Sequence, residues 1–505
     1  MAAIAALAIF GAADLPTVEI TLDVSGTVDP FPHNWERTFG SGHALLATRA
    51  DWQQQMQRSV NEIGLRGVRM HGVLDDDMSV TPDDAFGNRG AYKGLTSPPA
   101  DYEQWHDLIK AFGQHLLDRY GLGIVSRWYF EVWNEMWGMP YPAAYLPLYN
   151  ASAVALKAVH PALQVGGPSS ANLEHVADLI ADTIKAQIPL DFISSHHYPS
   201  DPSCSRAGGG KNTMNANCFS LDVLESAAIA KDASLPYFLS EYKDGLQGGP
   251  GTGFGGPHSD SSYAAAFVIH TLPRLSSLEV VSWWTFSDIF EENWMIGLPF
   301  YGGYHLIASL IRYGLLTVDG VAKPAYRAFE LLYNAGMRRL RNLEVTDTTP
   351  QYMNESTVSA FATLGDRFGT GTGLQLFLAN FGPEVGASPS AWVPGARNVT
   401  ITMHRDASDG PWPSSGLLRR IDDDSTAPYA AWVQMGKPPS LNPSQLAQLH
   451  AKSQTKDEWV ALAVQGEVAT LTLELPEYGV AHLAVQLSPS TKQRVSLDGY
   501  SRAVG

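Results

Sequence analysis

The sequence has little charge, only two cysteines and no long apolar run. Charged residues make up 17% of the 505 residues, and 34 Lys and Arg face 51 Asp and Glu, which gives a net charge of −17. An acidic surface repels phosphate groups, so we expect no nucleic acid partner. No run reaches the roughly 18 apolar residues that a membrane-spanning helix needs, so we expect no membrane partner.

What the sequence does contain is the composition of a globular protein. Hydrophobic residues make up 45% of the chain. That proportion supplies one large core and a second domain, and it excludes disordered, collagen-like and coiled-coil proteins. The composition carries no indication of an oligomeric state.

Residues 1–16 form a signal-like segment. Its apolar stretch ends in small residues, as a secretory signal does, but no Lys or Arg precedes it. The alternative is a disordered or misassigned start. Three Asn-X-Ser/Thr sequons and a lone cysteine pair favour export, so we expect a secreted or lumenal protein. Cys204 and Cys218 either form a bridge that stabilises the fold by roughly 3 kcal/mol or remain free thiols.

Residues 17–340 have the pattern of repeated βα units. Short β-branched and aromatic runs alternate with amphipathic stretches, which predicts a parallel sheet. We predict strands over residues 37–43, 67–72, 125–134, 163–167, 191–197, 236–241 and 280–286. We predict helices over residues 49–63, 101–119, 143–159, 172–186, 221–231, 261–275 and 324–335. Seven strands in one series, without a Gly-rich dinucleotide turn, favour an α/β fold of the (β/α)8 TIM barrel type.

The third βα unit of this predicted barrel is missing. Between the strand that ends at Gly72 and the helix that begins near Asp101, the sequence is rich in turn residues and has no run typical of a buried strand. Either the barrel closes unusually or the chain has lost an internal segment. A barrel short of one strand exposes two edges and disturbs the packing that positions residues at the strand ends.

Residues 341–505 change to alternating strands separated by turn residues. We predict strands over residues 357–363, 374–380, 398–404, 459–464, 469–475 and 480–486, the pattern of a β-sandwich domain. A further strand over residues 18–24 precedes the barrel and could pair into this sandwich, which would tie the two chain ends together. We expect the sandwich to buttress the barrel rather than to bind glycans.

Two of the strand-like runs end in a carboxylate. One run ends in Asn134 and Glu135, and another ends in Glu241. The active site of a parallel barrel lies at these strand ends, and a carboxylate there costs free energy unless it is paired or solvated in a cleft. Two such carboxylates suit glycoside hydrolysis. A single Glu would favour a structural ion pair, but two of them among aromatic residues favour catalysis.

Five segments of the chain occur in the order seen in a known family. They are Arg69-Met-His-Gly72, Phe130-Glu-Val-Trp-Asn-Glu135, Asp191-Phe-Ile-Ser-Ser-His-His-Tyr-Pro199, Phe238-Leu-Ser-Glu-Tyr242 and Ser282-Trp-Trp-Thr-Phe-Ser-Asp-Ile-Phe-Glu-Glu292. With them the chain resembles glycoside hydrolase family 39, which contains β-xylosidases and α-L-iduronidases, over most of residues 30–340. Relative to that family, residues of the third βα unit are absent between Met78 and Lys93.

The resemblance implies a role for each of several residues. Glu135 is implied as the general acid/base and Glu241 as the nucleophile of a retaining mechanism, with carboxyl groups roughly 5–5.5 Å apart. Glu135 then needs a raised pKa to hold its proton, whereas Glu241 has to stay ionised. Asn134 is implied to hydrogen-bond the sugar 2-hydroxyl. The further implied sugar contacts are His71, His196, Tyr198, Trp284 and Glu291.

Alternatives exist for the role of the tryptophans, which could pack in the core, and for the sugar that is cleaved. Strand alternation allows at most one of Trp283 and Trp284 to meet the sugar. We predict cleavage of terminal β-linked xylose or a similar neutral sugar, because the segment Ser195-His-His-Tyr-Pro199 offers no Lys or Arg for a uronate. Lys243 keeps an α-L-iduronidase as an alternative. A non-catalytic carbohydrate-binding protein is the second alternative, if the truncated barrel disrupts the site.

The sequence shows no metal or cofactor motif. The acidic runs 75–77 and 422–424 lack the ligand spacing of a calcium loop. His196 and His197 are neighbours on a strand, so they point opposite ways and cannot bind one ion together. We therefore expect a glycoside or oligosaccharide as the substrate and neither a metal nor a cofactor.

Overall fold

The structure, a computed structural model, describes residues 15–74, 97–136, 139–199, 201, 216–245, 258–290, 313–349, 356–367, 373–382 and 395–487. The strands are β1 (Thr17–Asp23), β2 (Val28–Pro30), β3 (Phe39–His43), β4 (Val68–His71), β5 (Tyr129–Glu131), β6 (Gln164–Ser170), β7 (Phe192–His197), β8 (Tyr237–Tyr242), β9 (Val280–Trp283), β10 (Arg338–Leu340), β11 (Leu343–Asp347), β12 (Val358–Leu364), β13 (Gly373–Asn380), β14 (Arg397–His404), β15 (Ser415–Ile421), β16 (Glu458–Ala461), β17 (Ala463–Gln465), β18 (Val468–Leu475) and β19 (Val480–Gln486). The helices are α1 (Ala50–Ile63), α2 (Tyr102–Tyr120), α3 (Leu122–Val125), α4 (Tyr145–Val159), α5 (Val176–Ala186), α6 (Cys218–Asp232), α7 (Ser262–Thr271), α8 (Pro324–Tyr333), α9 (Pro428–Gln434) and α10 (Pro443–Lys452). Within these ranges, no helix is both long and apolar enough to cross a bilayer.

Local sequence signals set several helix ends. The carboxylate of Asp101 accepts the backbone N–H groups of Glu103 and Gln104, which fixes the start of α2. Helix α1 ends at Gly64, whose φ of 73° lies in the left-handed region that favours glycine. These ends agree closely with the predicted ones because cap residues act locally.

Among the described residues, seven strands run parallel in two sheets. Strand β3 pairs with β4, and β5 to β9 pair in chain order. The sheets meet where the N–H of Phe286, just after β9, donates to the carbonyl of Gly40 in β3 at 3.1 Å. Trp284 packs where a Cβ on Gly40 would lie, so this close approach requires glycine. Strands and helices alternate along these ranges, as the sequence predicts.

The parallel strands have one open side, between β4 and β5. These two strands are not neighbours in either sheet, and residues 75–96 lie outside the described ranges. The side chains of Arg69 and Glu131 meet across this side, with Nε 2.7 Å from Oε2. Strands β4 and β5 are partly exposed, whereas β7 and β8 are buried along their whole length. The described residues hold no strand that would correspond to the third βα unit.

The segment before Glu135 differs from the predicted strand over residues 125–134. Helix α3 ends at Val125, and β5 spans only Tyr129–Glu131. Trp133 and Glu135 adopt left-handed φ values of 73° and 50°. Residues in that region cannot continue an extended ladder, so the strand is shorter than its apolar pattern predicts.

Two further sheets face each other across a shared apolar core. Their strand orders are β11-β1-β14-β18-β17 and β16-β15-β19-β13-β12-β10-β2. The core includes Val18, Ile20, Leu22, Ile401, Leu376, Leu378 and Leu483. Strand β1 pairs in parallel with β14, which places Val18 opposite Val399, and antiparallel with β11. The first described strand of the chain therefore lies inside a sheet built from the last third.

The two halves of the molecule contact each other through ionic and apolar groups. Arg367, after β12, makes two hydrogen bonds to the buried carboxylate of Glu36, both at 2.9 Å. Helices α9 and α10, which the sequence analysis does not predict, lie between β15 and β16. Trp432 and Leu449 of these helices pack on Val321, which precedes α8.

Candidate active site

Side chains at the carboxyl ends of the parallel strands converge on one site. Parallel strands present these ends on the same edge, which brings residues that are distant in sequence together. The residues are Arg69 and His71 of β4, Asn134 and Glu135 after β5, Ser169 of β6, His196 and Tyr198 at the end of β7, Glu241 of β8 and Trp284 after β9. Of the residues predicted for the site, Glu291 lies outside the described ranges.

Glu135 and Glu241 lie next to each other in this site. One oxygen of each carboxylate and one ring nitrogen of His196 form a group whose members are all within 4.8 Å of one another. This separation is close to the roughly 5–5.5 Å found in retaining glycosidases, in which one carboxylate attacks the sugar directly. It is shorter than the roughly 6.5–9.5 Å of inverting enzymes, which need room for a water molecule. The arrangement therefore suits double displacement.

Irregular backbone at two strand ends brings these residues together. The N–H of Glu135 donates to the carbonyl of Ser169 at 2.8 Å, so its left-handed turn remains attached to β6. The pairing of β7 with β8 shifts register after Ser195, and the shift places His196 opposite Glu241. Such irregularities at sheet ends redirect side chains, and they occur next to active sites.

Arg69 connects most of the polar groups of the site. Its Nε lies 2.7 Å from Glu131, its Nη1 lies 2.8 Å from Glu241, and its Nη2 lies 2.8 Å from the amide oxygen of Asn134. Nη2 also lies 2.9 Å from Nε2 of His196. The planar fork of a guanidinium permits this many directed hydrogen bonds from one residue. Burial lowers the pKa of Arg69, but the adjacent Glu131 and Glu241 raise it above its ordinary value.

The contact with Arg69 determines which ring nitrogen of His196 carries the proton. A guanidinium can only donate, so Nε2 of His196 has to accept and carries no proton. The ring proton is therefore on Nδ1, which lies 3.0 Å from Glu135 and donates to it. His197, the next residue, points the other way and stacks on Phe219. The two histidines thus face opposite directions, as strand alternation predicts.

Glu241 lies in an environment that disfavours its charge. Burial raises the pKa of Glu241 above its usual range, and the nearby Glu135 adds to this rise. His196, whose Nδ1 lies 3.5 Å from Oε2 of Glu241, acts in the opposite direction, as do Arg69 and the hydroxyl of Tyr198, which donates to the other carboxylate oxygen. The ionised state of Glu241 therefore depends on these three neighbours.

Trp284 and His71 form an aromatic surface beside the carboxylates. Their rings stack with centroids 5.2 Å apart and an interplanar angle of 13°, and the Arg69 guanidinium lies 5.7 Å from the Trp284 ring centre. Burial lowers the pKa of His71 well below its usual value, so this imidazole is neutral. Trp283 instead packs in the core against Phe329. Of the two tryptophans, only Trp284 lies on the side of the site.

The spacing of Glu135, His196 and Glu241 would also suit a metal ion. The position of the ring proton of His196 does not suit one. The ring nitrogen nearest both carboxylates is Nδ1, at 3.0 and 3.5 Å. Because Nδ1 carries the proton, it has no lone pair for a metal. The adjacent guanidinium also repels a cation. Elsewhere, Asp422 accepts backbone N–H groups in a turn, and residues 75–77 lie outside the described ranges.

Sequence reasoning missed Arg69 and Ser169 of this site, and also Glu131, which ends β5 and bonds Arg69. Arg69 stands two positions before His71 on the same strand, so alternation places both on one face. Glu131 is an acid within an apolar strand, a placement that costs free energy unless the acid is paired. Both signals were present in the sequence, and together they indicate a buried ion pair.

Parallel strands with a close pair of carboxylates at their carboxyl ends, beside an aromatic surface, define the class of two-carboxylate glycoside hydrolases. The sequence model of the family described as Glycosyl hydrolases family 39 matches residues 18–95 and 85–469. The chain belongs to this family, which confirms the resemblance and the expectation of an O-glycosidase.

Relatives of the chain carry two different names. The β-xylosidase of Caldicellulosiruptor saccharolyticus is 29% identical over 495 residues, which cover 88% of this chain and 94% of that protein. The crystal structure of a monomeric β-xylosidase from Caulobacter crescentus CB15 matches with a TM-score of 0.71 and 25% identity, over 93% of this chain and 99% of that one. The α-L-iduronidase of Homo sapiens is 31% identical over 121 residues, which cover 20% of this chain and 18% of that protein.

Proposed function

We propose that this chain is a retaining, β-xylosidase-like enzyme that cleaves terminal β-linked xylose or a similar neutral sugar by double displacement. The observation that carries the proposal is the separation of Glu135 and Glu241, whose nearest oxygens lie within 4.8 Å. Glu241 attacks the anomeric carbon while Glu135 gives a proton to the leaving oxygen. Glu135 then takes a proton from the water that releases the sugar.

The surrounding residues support these two roles. Arg69 and Tyr198 each donate to one oxygen of Glu241, which holds the carboxylate ionised and oriented. The Nδ1–H of His196 orients Glu135. The amide oxygen of Asn134 is held by Arg69, so its NH2 group is the part that donates to a sugar hydroxyl. Trp284 offers its ring to the apolar face of the sugar.

The position of Lys243 favours a neutral sugar over a uronate. This side chain is fully buried, and its Nζ lies 5.2 Å from the ring centre of Tyr313. Burial lowers its pKa to about 8, while the nearby Asp244, Asp288 and Asp260 oppose that shift. A lysine already surrounded by carboxylates is not offered to a substrate carboxylate.

For the fold, we propose a (β/α)8 TIM barrel domain that lacks its third βα unit and spans residues 17–340, with its N-terminal strand β1 joined to the sandwich. A β-sandwich domain follows over residues 341–505. The seven parallel strands and the ion pair between Arg69 and Glu131 across the open side support the barrel. The bonds of Arg367 to Glu36 support a buttressing role for the sandwich.

We propose secretion or a lumenal location. Cys218 is disulfide-bonded, and disulfides persist in oxidising compartments. Cys204 and residues 1–14 of the signal-like segment lie outside the described ranges. N-terminal sequencing of the protein recovered from its native host checks this proposal, because cleavage within residues 1–16 supports it and an intact intracellular chain contradicts it.

Turnover of aryl glycosides tests the proposed activity. We expect a burst of aglycone from an aryl β-xyloside, no burst from Glu241→Ala, and wild-type rates from Glu458→Ala, a substitution on the edge strand β16. Preference for an aryl α-L-iduronide would overturn the choice of sugar. Calorimetric binding of xylose oligomers without turnover of either aryl glycoside would instead support the carbohydrate-binding alternative.

A further inference from the structure

The site contains a third buried carboxylate that the two-carboxylate mechanism does not use. Glu131 ends β5, and its side chain is 15% exposed. Its Oε2 lies 2.7 Å from Nε of Arg69. A charged group in such a position is costly unless it is paired. The partner of Glu131, Arg69, also bonds Glu241, so the charge of Glu131 acts on that carboxylate.

Glu131 and Glu241 share a single cation. Arg69 donates from Nε to Glu131 and from Nη1, at 2.8 Å, to Glu241. Nη2 of the same guanidinium lies 2.9 Å from Nε2 of His196. With both of these carboxylates ionised, the single positive charge of Arg69 is bonded to two negative charges.

The two carboxylates respond differently to this environment. Burial raises the pKa of Glu131, but Arg69, His196 and the hydroxyls of Ser240 and Ser194 together more than offset this effect, so the pKa is below its ordinary value. The pKa of Glu241 is raised by burial. The titratable groups that face Glu131 are Arg69 on β4, His196 on β7, Glu241 on β8 and Tyr145 on α4. Of the pair, Glu131 is therefore the one that keeps its negative charge to lower pH.

We infer that Glu131 is a positioning residue whose negative charge, held against Arg69, sets the pH range in which the reaction runs. Glu131 is connected to Glu135 through Arg69 and His196. A negative charge at the far end of this chain of hydrogen bonds favours the protonated form of Glu135, which the first step of catalysis requires. The negative charge of Glu131 also weakens the attraction between Arg69 and Glu241, because both carboxylates bind the same guanidinium. This inference rests on the proposed function.

The pH dependence of turnover by Glu131→Gln tests the inference. Glutamine keeps the shape and can accept from Arg69 but removes the charge. We expect the acidic and alkaline limits of kcat/KM both to move to lower pH by about one unit. At neutral pH the rate then falls about tenfold, and it recovers in more acidic buffer. Glu458→Gln removes the same charge from an exposed position on β16 and leaves both limits in place.

A uniform loss of rate with unmoved limits, or limits that move to higher pH, would overturn the inference and leave Glu131 a structural ion-pair partner. Glu131→Asp keeps the charge and shortens the side chain. We expect it to lower kcat without moving the limits, and moved limits would count against the inference even if the glutamine variant did not fold.

A measurement without substrate separates this inference from the proposed function. The infrared band of the protonated carboxyl group of Glu135, assigned by its loss in Glu135→Gln, can be titrated in the free protein. We expect it to titrate at lower pH in Glu131→Gln than in the wild type, and an unchanged titration would overturn the inference. If no glycoside is turned over, the proposed function fails while this titration still decides the role of Glu131.

Discussion

The site is held differently on its two sides. On one side, β7 and β8 are paired along their backbones and fully buried, and the positions of His196 and Glu241 follow from the sheet. On the other side, β4 and β5 are partly exposed and unpaired with each other, and in the described part of the chain Arg69 links them by its bond to Glu131. A guanidinium with several acceptors can thus join two strands that share no backbone hydrogen bonds, but the join depends on one residue.

The largest effect is expected from breaking this join with Arg69→Met. Methionine matches the bulk but leaves Glu131 and Glu241 buried without their shared cation. We expect a loss of about 3–5 kcal/mol in the free energy of unfolding and a fall in kcat/KM of about a thousandfold, because the nucleophile loses orientation and charge stabilisation. Denaturant unfolding and aryl glycoside turnover measure both.

Arg37→Met is the matched control for this prediction. Arg37 lies just before β3 and forms an exposed ion pair with Glu279. The Arg37 side chain is 44% exposed. Exposed pairs contribute about 0–1 kcal/mol. Equal losses in the two arginine variants would show that the open side does not depend on Arg69 in particular.

A smaller effect is expected on the paired side from Tyr198→Phe. The sheet still positions Glu241, so only one hydrogen bond to a charged group is lost, about 1.5–3 kcal/mol or roughly tenfold to a hundredfold in kcat. Because the Tyr198 hydroxyl lowers the pKa of Glu241, its removal raises that pKa further. The nucleophile is then protonated over a wider range, and the acidic limit of kcat/KM moves to higher pH.

Tyr149→Phe removes a comparable buried hydroxyl, which donates to the carbonyl of Pro189 away from the carboxylates. We expect it to reduce stability without shifting the pH profile. An acidic limit that stays in place in Tyr198→Phe, or moves to lower pH, would contradict the role given to Tyr198.

The smallest effect concerns stability alone and has opposite signs on the two sides. The pKa of Glu241 is raised in the folded protein, so its stabilising contribution is present below the unfolded pKa and is lost as pH rises through the folded pKa. Glu241→Gln stays neutral, and we expect Tm at pH 7 to rise by roughly 1–3 °C, with the gain vanishing in acid. Glu131 has a lowered pKa, so its contribution is present above the unfolded pKa, and Glu131→Gln should lower Tm at pH 7. Calorimetric scans across pH measure both signs.

The paired side was largely predictable from the sequence. Strand patterns alone located β7 and β8, because short runs with β-branched and aromatic residues between amphipathic stretches predict the strands of βα units. Glu241 followed directly from the bounds of β8, whereas His196 followed from the resemblance to the family. The carboxylate after β5 was also found, although the left-handed turn at Glu135 was not, because it depends on a hydrogen bond to Ser169.

The open side was less predictable. The missing unit was visible as a turn-rich stretch, but the bond between Arg69 and Glu131 joins two strands that are distant in sequence, and no local pattern reports such a pair. Helices α9 and α10 were also missed. Their apolar residues, such as Trp432, are few and become buried only against Val321, which lies far away in the chain.

The pairing of β1 with β14 has a consequence for biosynthesis. Val18 finds its partner Val399 only after most of the polypeptide has left the ribosome. During translation β1 remains unpaired, with backbone N–H and C=O groups that lack sheet partners. An unpaired strand is prone to associate with other nascent chains. Because loop closure over so great a contour length is slow, completion of this sheet is expected to be among the last events in the maturation of the molecule.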